Sequence, residues 1–383
     1  MALYDLVFKG GGAKGMAFAG ALQVFKDAGH DHRRVVGTSA GAITAMLTGA
    51  GYTPTELREA CTAVDKDGNP LFAGFMDAPQ ETDFTQAVIE GCETLTLMKR
   101  AGFPFSGIFE DAEEKMIKLL LRLELYRELF CFVECGGFYA GDAALNWMRE
   151  RLKQKNMAAD ITWADFAAKT GKDVSVVTTD VTDKEMVVLN ARTAPNVPVA
   201  ESVRMSMSIP FVWREMIWKE EWGTYHLLGT DGTVTERKKA GNIFVDGGVL
   251  SNFPLRLIAE SDADVVAVMG KTDPKGAGNL GLFLDAQIAV PGAQNSKTPV
   301  PRLRVADRVT RLIDTLTDSA DLAVIREYED SVCRLPVGGF GTTEFRMSSE
   351  RQELLIDSGA KALKDFLAAE ARKNVVEPAT TQV

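Results

Sequence analysis

At 383 residues, 46% hydrophobic and 25% charged, the chain has ordinary globular composition and is long enough to bury a large core. A formal net charge of −10 argues against nucleic acid as a main partner, because phosphate binding needs a basic face, and leaves a membrane surface open. The five cysteines (Cys61, Cys92, Cys131, Cys135, Cys333) match neither a disulfide framework nor a Cys-x-x-Cys zinc site, which fits a reduced, intracellular setting.

The first element is an apolar strand, Leu3–Lys9. Gly10-Gly11-Gly12-Ala13-Lys14-Gly15 follows, then a helix with apolar spacing from Met16 to Ala28. Arg34–Val36 is a second strand, leading into the small-residue helix Ala40–Gly49. Strand, glycine turn, helix, strand begins a βαβ unit and predicts a parallel sheet. From about 53 to 140 the pattern is mainly helical, and residues 55–135 read as an insertion covering one side of the sheet. Its aromatic stretch Phe103–Phe109 is a candidate lid, with buried loop packing as the alternative. Gly141–Lys153 reads as a helix, Val174–Thr179 and Glu185–Asn190 as strands, and Val199–Met207 as a helix ending before Ile209-Pro210. Asn242–Val245 is a strand running into Asp246-Gly247-Gly248, and Val265–Met269 reads as another buried strand. Pro274–Pro301, rich in Gly and Pro around the apolar Leu280–Val290, reads as a mobile surface loop. Pro301–Val332 and Ser349–Glu370 read as amphipathic helices. The expected organisation is a catalytic domain at 1–290, a C-terminal helical region at 291–372 and a disordered tail at 373–383. There is no N-terminal signal pattern and no apolar run of ~20 residues, so a cytoplasmic protein with peripheral membrane contact is expected. Secretion by a route without a signal peptide stays open.

Three segments carry chemistry. Gly37-Thr38-Ser39-Ala40-Gly41, between a strand and a helix, is a nucleophile-elbow pattern. A serine hydroxyl is a weak nucleophile and must be held where a base can reach it. Gly10–Gly15 has two readings: a dinucleotide turn, with Asp27 or Asp31 where a ribose-binding acid would fall, or an oxyanion hole. Three successive glycine N–H groups can converge on one spot, and each donor there is worth about 3–4 kcal/mol in the transition state. The base is the third question. The chain has three histidines, His30, His32 and His226, and none follows the best acid, Asp246, as a serine–acid–histidine order would require. Scarcity of histidine points to a carboxylate base, Asp246, at the end of an apolar strand. A turn aspartate capping Gly247-Gly248 is the plain alternative.

Lys9–Gly15 (KGGGAKG), Gly37–Gly41 (GTSAG) and Asp246–Pro254 (DGGVLSNFP), in that order, resemble the patatin-like phospholipases. Gly136–Ala143 and Ser206–Pro210 also look like family segments, and the resemblance covers about residues 3–270. It implies a three-layer α/β/α fold with a mainly parallel sheet and metal-free, cofactor-free hydrolysis of acyl esters in phospholipids, lysophospholipids or neutral lipids. Ser39 would be the nucleophile, Asp246 the general base, and Gly10, Gly11 and Gly12 the oxyanion donors. Lys14, Gly15, Gly37, Gly41, Gly247 and Gly248 would support these motifs, Lys14 by holding its turn or a lipid head group. Lys9 stands where the family often has Asp, Ser or Asn, which questions the polar support of the turn. Phe211–Trp222 holds three of the chain's five tryptophans and suggests either a membrane-facing belt or core packing. Competing readings are a nucleotide-binding module built on Gly10–Gly15 and a hydrolase effector switched on by a partner. A homodimer is compatible with either.

Overall fold

Hydrophobic alternation along the strands divides the core in two. In the computed structural model, which describes residues 2–100, 112–271, 276–293, 312, 315 and 321–376, eight strands form one sheet. They are β1 (Leu3–Phe8), β2 (Asp31–Thr38), β3 (Asp173–Asp180), β4 (Glu185–Leu189), β5 (Met216–Ile217), β6 (Ile243–Asp246), β7 (Gly278–Ala289) and β8 (Val332–Gly338). The order is β8-β7-β1-β2-β3-β6-β5, with β4 also paired to β3. The run from β8 to β3 is parallel, and β4, β6 and β5 are antiparallel additions at one side. Successive side chains of a strand point to opposite faces. Leu6, Phe8, Val35 and Leu282 accordingly enter one core, while Val7, Val36 and Phe283 enter another. Helices α1 (Ala17–Asp27) and α2 (Ala40–Gly49) contribute to the first core, as do helices Asp142–Gln154, Val199–Ser206 and Ser349–Val376. Helices Arg256–Ala259 and Ala263–Met269 contribute to the second, with Ile325. Helices on both faces of a mostly parallel sheet make the predicted α/β/α arrangement.

A separate small core is formed by Phe84, Ile89, Cys92, Leu95, Ile117, Leu121, Phe130 and Cys131, within the stretch read as an insertion. The candidate lid Phe103–Phe109 lies outside the described residues, as do 377–383 and most of 294–320.

Three expectations change. Val265–Met269 is helical, because Asp262 caps the segment by accepting from the N–H groups of Asp264 and Val265. Leu280–Val290 is not part of a mobile loop: most of it forms β7, pinned between β1 and β8 and buried along Leu280–Leu284. The region beyond 290 is not wholly helical, since Val332–Gly338 supplies β8 to the same sheet.

The C-terminal helix Ser349–Val376 lies against α1 at a crossing made by two glycines. A β-carbon on Gly359 would sit 2.0 Å from the Ala17 carbonyl oxygen, and one on Gly20 would sit 1.9 Å from that of Ile356. Gly359→Ala is therefore expected to force the helices apart and cost about 1–3 kcal/mol or more. A lowered urea midpoint checks this, and an unchanged midpoint would mean the crossing is slack.

Candidate active site

Ser39 joins β2 to α2 with φ 53 and ψ −120, a backbone conformation that a non-glycine residue adopts at a cost. The surroundings enforce it. A β-carbon on Gly37 would fall 2.1 Å from the Gly41 carbonyl oxygen, and one on Gly41 would fall 2.2 Å from that of Phe8. Only glycine at both positions lets β1, β2 and α2 close this tightly. The Ser39 N–H donates to Ser206 Oγ at 2.9 Å, and that hydroxyl donates to the Val177 carbonyl at 2.5 Å. Ser39 is 5% exposed and sits at the N-terminus of α2, where the helix dipole favours negative charge.

Register brings Asp246 to the same place. β2 runs parallel to β3, with Thr38 opposite Val177. β6 runs antiparallel to β3, with Asp246 opposite Thr178. The two strands thus approach end to end along β3, so that Thr38 and Asp246 occupy adjacent rungs. Asp246 is 4% exposed. Its N–H donates to the Ser208 carbonyl at 2.8 Å, and its Oδ1 accepts the Gly248 N–H at 2.7 Å. A β-carbon on Gly247 would meet the Val177 carbonyl oxygen at 2.2 Å, so this turn too packs flush on β3.

The glycine turn departs from expectation at one donor. The Gly10 N–H is engaged with the Asn252 carbonyl at 2.9 Å and is not aimed at a ligand. Among the described residues no hydrogen bond uses the N–H of Gly11 or Gly12, which leaves two donors of the expected three. Gly12 and Gly15 line the same cleft as Ser39. Lys14 is buried, which suits holding the turn better than reaching a head group. Lys9 is buried as well, its Nζ 3.3 Å from Asp321 and 4.0 Å above the Phe283 ring; an ion pair supports this turn. The Asn252 side chain packs on Gly10 and the Thr342 backbone on Gly12, so protein covers two glycine faces that a dinucleotide would need.

The cleft beside Ser39 comprises about 510 Å³, part of it open to solvent. Its walls are apolar: Met16, Ile43, Cys61, Phe72, Phe75, Met207, Ile209, Trp213 and Phe345, with Thr44 as a polar exception. Trp213, Trp218 and Trp222 are buried, so the tryptophan-rich stretch is core and not a membrane-facing belt. Within it Phe211 and Ile217 are the large apolar side chains left exposed.

The histidines lie elsewhere. His226 sits in the hairpin Tyr225–Leu228/Val234–Arg237, apart from the main sheet, with Nε2 3.2 Å from Thr224 Oγ1. His30 packs on Tyr4 and Phe25. His32 is on β2 near its start, about 20 Å of strand before Ser39. Burial pushes the His32 imidazole below its ordinary value, Lys172 adds to this and Asp31 opposes it. The unfolded chain then takes up the proton first, so this contribution to stability is whole above about pH 6.5 and is lost as pH falls below it. The thermal midpoint is expected to fall between pH 7 and 5, and less steeply in His32→Gln; an equal slope in the variant would clear His32 of the effect.

Several supports escaped sequence reading. Arg204 is buried and donates to the Gly141 and Ala140 carbonyls and to Ser208 Oγ, while the Ser208 carbonyl accepts from Asp246. Burial pushes its guanidinium down to about 10. Ser206–Pro210 stood out as a segment, but the hydroxyl that fixes the Ser39 backbone could not be read from it. Among the described residues one acidic cluster has metal-ligand spacing, Asp180, Asp183 and Glu185, and the Lys239 ammonium fills it at 2.8 Å from Asp180 and 2.7 Å from Asp183. The five cysteines are free thiols.

A family model described as patatin-like phospholipase matches residues 6–259. The chain is 27% identical over 371 residues to the uncharacterized protein YqhO of Bacillus subtilis, covering 95% of this chain and 97% of that one. It is 20% identical over 250 residues to "Probable lipid hydrolase 463L" of Invertebrate iridescent virus 6, covering 65% and 61%. Among solved structures, VipD from Legionella pneumophila aligns over 96% of this chain and 67% of its own, at 15% identity and TM-score 0.43. ExoU in its complex with SpcU, from the type III secretion system of Pseudomonas aeruginosa, aligns over 97% and 52%, at 17% identity and TM-score 0.42.

Proposed function

The chain belongs to the patatin-like phospholipase family, and from that premise we propose that it cleaves acyl esters of membrane lipids with Ser39 as nucleophile and Asp246 as general base. Ser39 Oγ attacks the ester carbonyl while the Asp246 carboxylate takes its proton. Negative charge collects on the former carbonyl oxygen, where the N–H groups of Gly11 and Gly12 and the N-terminus of α2 can stabilise it. Collapse of the tetrahedral intermediate breaks the ester C–O bond, and the leaving alcohol receives the proton from Asp246. Water then attacks the acyl-serine carbonyl, losing a proton to Asp246; collapse breaks the acyl C–Oγ bond, the fatty acid departs, and Asp246 returns the proton to Ser39 Oγ. The acyl chain lies in the apolar cleft.

The observation that supports this reading is the meeting of β2 and β6 on β3: Thr38 and Asp246 stand on adjacent rungs, and Ser39, strained and buried, follows Thr38 and lines the cleft. A panel of phospholipids, lysophospholipids and neutral lipids tests it, with Ser39→Ala as the control and a fluorophosphonate probe to report the nucleophile. Hydrolysis and labelling that both survive in Ser39→Ala would reject it.

A further inference from the structure

We infer that the segment 339–347, which lies beyond the family-matched region 6–259, sets the length of acyl chain the cleft accepts, with Phe345 as the specificity-determining residue. This rests on the acyl-hydrolase reading above. The segment leaves β8 and turns back over the glycine turn. The Thr342 carbonyl accepts the Ala13 N–H at 2.9 Å, and a β-carbon on Gly12 would fall 2.2 Å from the same oxygen. The segment is therefore seated on the turn that carries the candidate oxyanion donors.

Three residues further on, Phe345 is buried and lines the cleft together with Ser39. Its ring packs edge-on against Trp213, with centroids 5.9 Å apart and planes at 68°. Trp213 is anchored in turn, its Nε1 donating to the Phe75 carbonyl at 2.8 Å, and Phe75 is also a lining residue. Phe345, Trp213 and Phe75 form one wall. The loop holding Phe345 is braced from behind. Glu344 accepts from the Gly341 N–H at 2.9 Å and from Arg351 at 2.8 and 3.1 Å. Arg351 also donates to the Gly339 carbonyl at 2.9 Å. A wall fixed at both ends does not yield to a longer chain by simple rotation. In an apolar pocket one methylene too many or too few changes the specificity constant about 10–200-fold.

The test compares wild type, Phe345→Ala, Phe345→Leu and Phe345→Trp on p-nitrophenyl esters from C4 to C16. The ratio of kcat/KM for C12 to that for C6 is expected to rise at least about tenfold in Phe345→Ala, to rise less in Phe345→Leu, and to fall in Phe345→Trp. Thermal midpoints identify variants that fold, and the leucine and tryptophan variants keep the test alive if alanine does not. A second reading uses Ser39→Ala protein, with and without the Phe345 changes, and measures dissociation constants for C8 to C16 fatty acids, which requires no turnover. Shifted fatty-acid preference without ester cleavage by the wild type would sustain the wall and overturn the hydrolase reading. Ester cleavage with an unshifted preference in folded variants would sustain the hydrolase reading and overturn the role of Phe345.

Discussion

Ser39→Ala is expected to lower ester hydrolysis by about 10⁴–10⁶-fold and to abolish fluorophosphonate labelling while the fold persists. The size follows from the role assigned to the hydroxyl. Without Oγ no acyl-enzyme forms, and what remains is what the cleft and the donors at Gly11 and Gly12 can do for direct attack by water. Persistence of the fold follows from the packing. The Ser39 anchor to Ser206 runs through the backbone N–H, which alanine retains. The strained φ of 53 gives a second, independent readout. Alanine inherits that strain and glycine does not, so Ser39→Gly is expected to be inactive yet more stable than Ser39→Ala, by about 1 kcal/mol once the entropy of glycine is set against the 1–3 kcal/mol of strain. Equal urea midpoints for the two variants would show that the elbow stores no strain. Full activity in either would remove Ser39 from the chemistry.

The contrast between Ser39 and its partners explains how far the sequence could be read. The elbow was legible because its causes are local: a short apolar strand, two glycines at fixed spacing and a small-residue helix within fifteen residues. The meeting with Asp246 was not, because it depends on the register of β2 and β6 along β3, set by pairings between residues far apart in the chain, such as Thr38 with Val177 and Asp246 with Thr178. The same distance misled the reading of the glycine turn. Whether Gly10 offers its N–H depends on Asn252, far along the chain, and the carbonyl of that residue claims the donor. Short apolar runs were the other weak point. Val265–Met269 and Leu280–Val290 are both apolar and bounded by polar or Gly/Pro-rich residues, and periodicity alone cannot assign such runs. The cap at Asp262 decides the first, and lateral pairing with β1 and β8 decides the second. The tryptophans of 213–222 show that an amphipathic side chain does not announce its solvent: all three are core.

Asp246→Asn is the sharper test of mechanism, because it removes basicity and little else. Asparagine matches the carboxylate in shape, and its Oδ1 can still accept the Gly248 N–H that holds the turn. The backbone link to Ser208 is untouched. Loss of a general base typically costs about 10²–10⁴-fold, and in the proposed mechanism the same group serves both acylation and deacylation, so the upper part of that range is expected for steady-state hydrolysis. The rate of fluorophosphonate labelling should fall as well, since acylation by the probe also needs the serine proton to leave. His226→Ala should leave both rates near wild type. That residue lies in a separate hairpin with its ring turned to Thr224, while His32 is a strand's length from Ser39. The opposite pattern, activity kept in Asp246→Asn and lost in His226→Ala, would exclude the dyad and require the hairpin to move toward Ser39. Loss in both would call for a base relay joining them. Loss in Asp246→Asn alone would support the proposed carboxylate base and leave His226, in its separate hairpin, outside the chemistry.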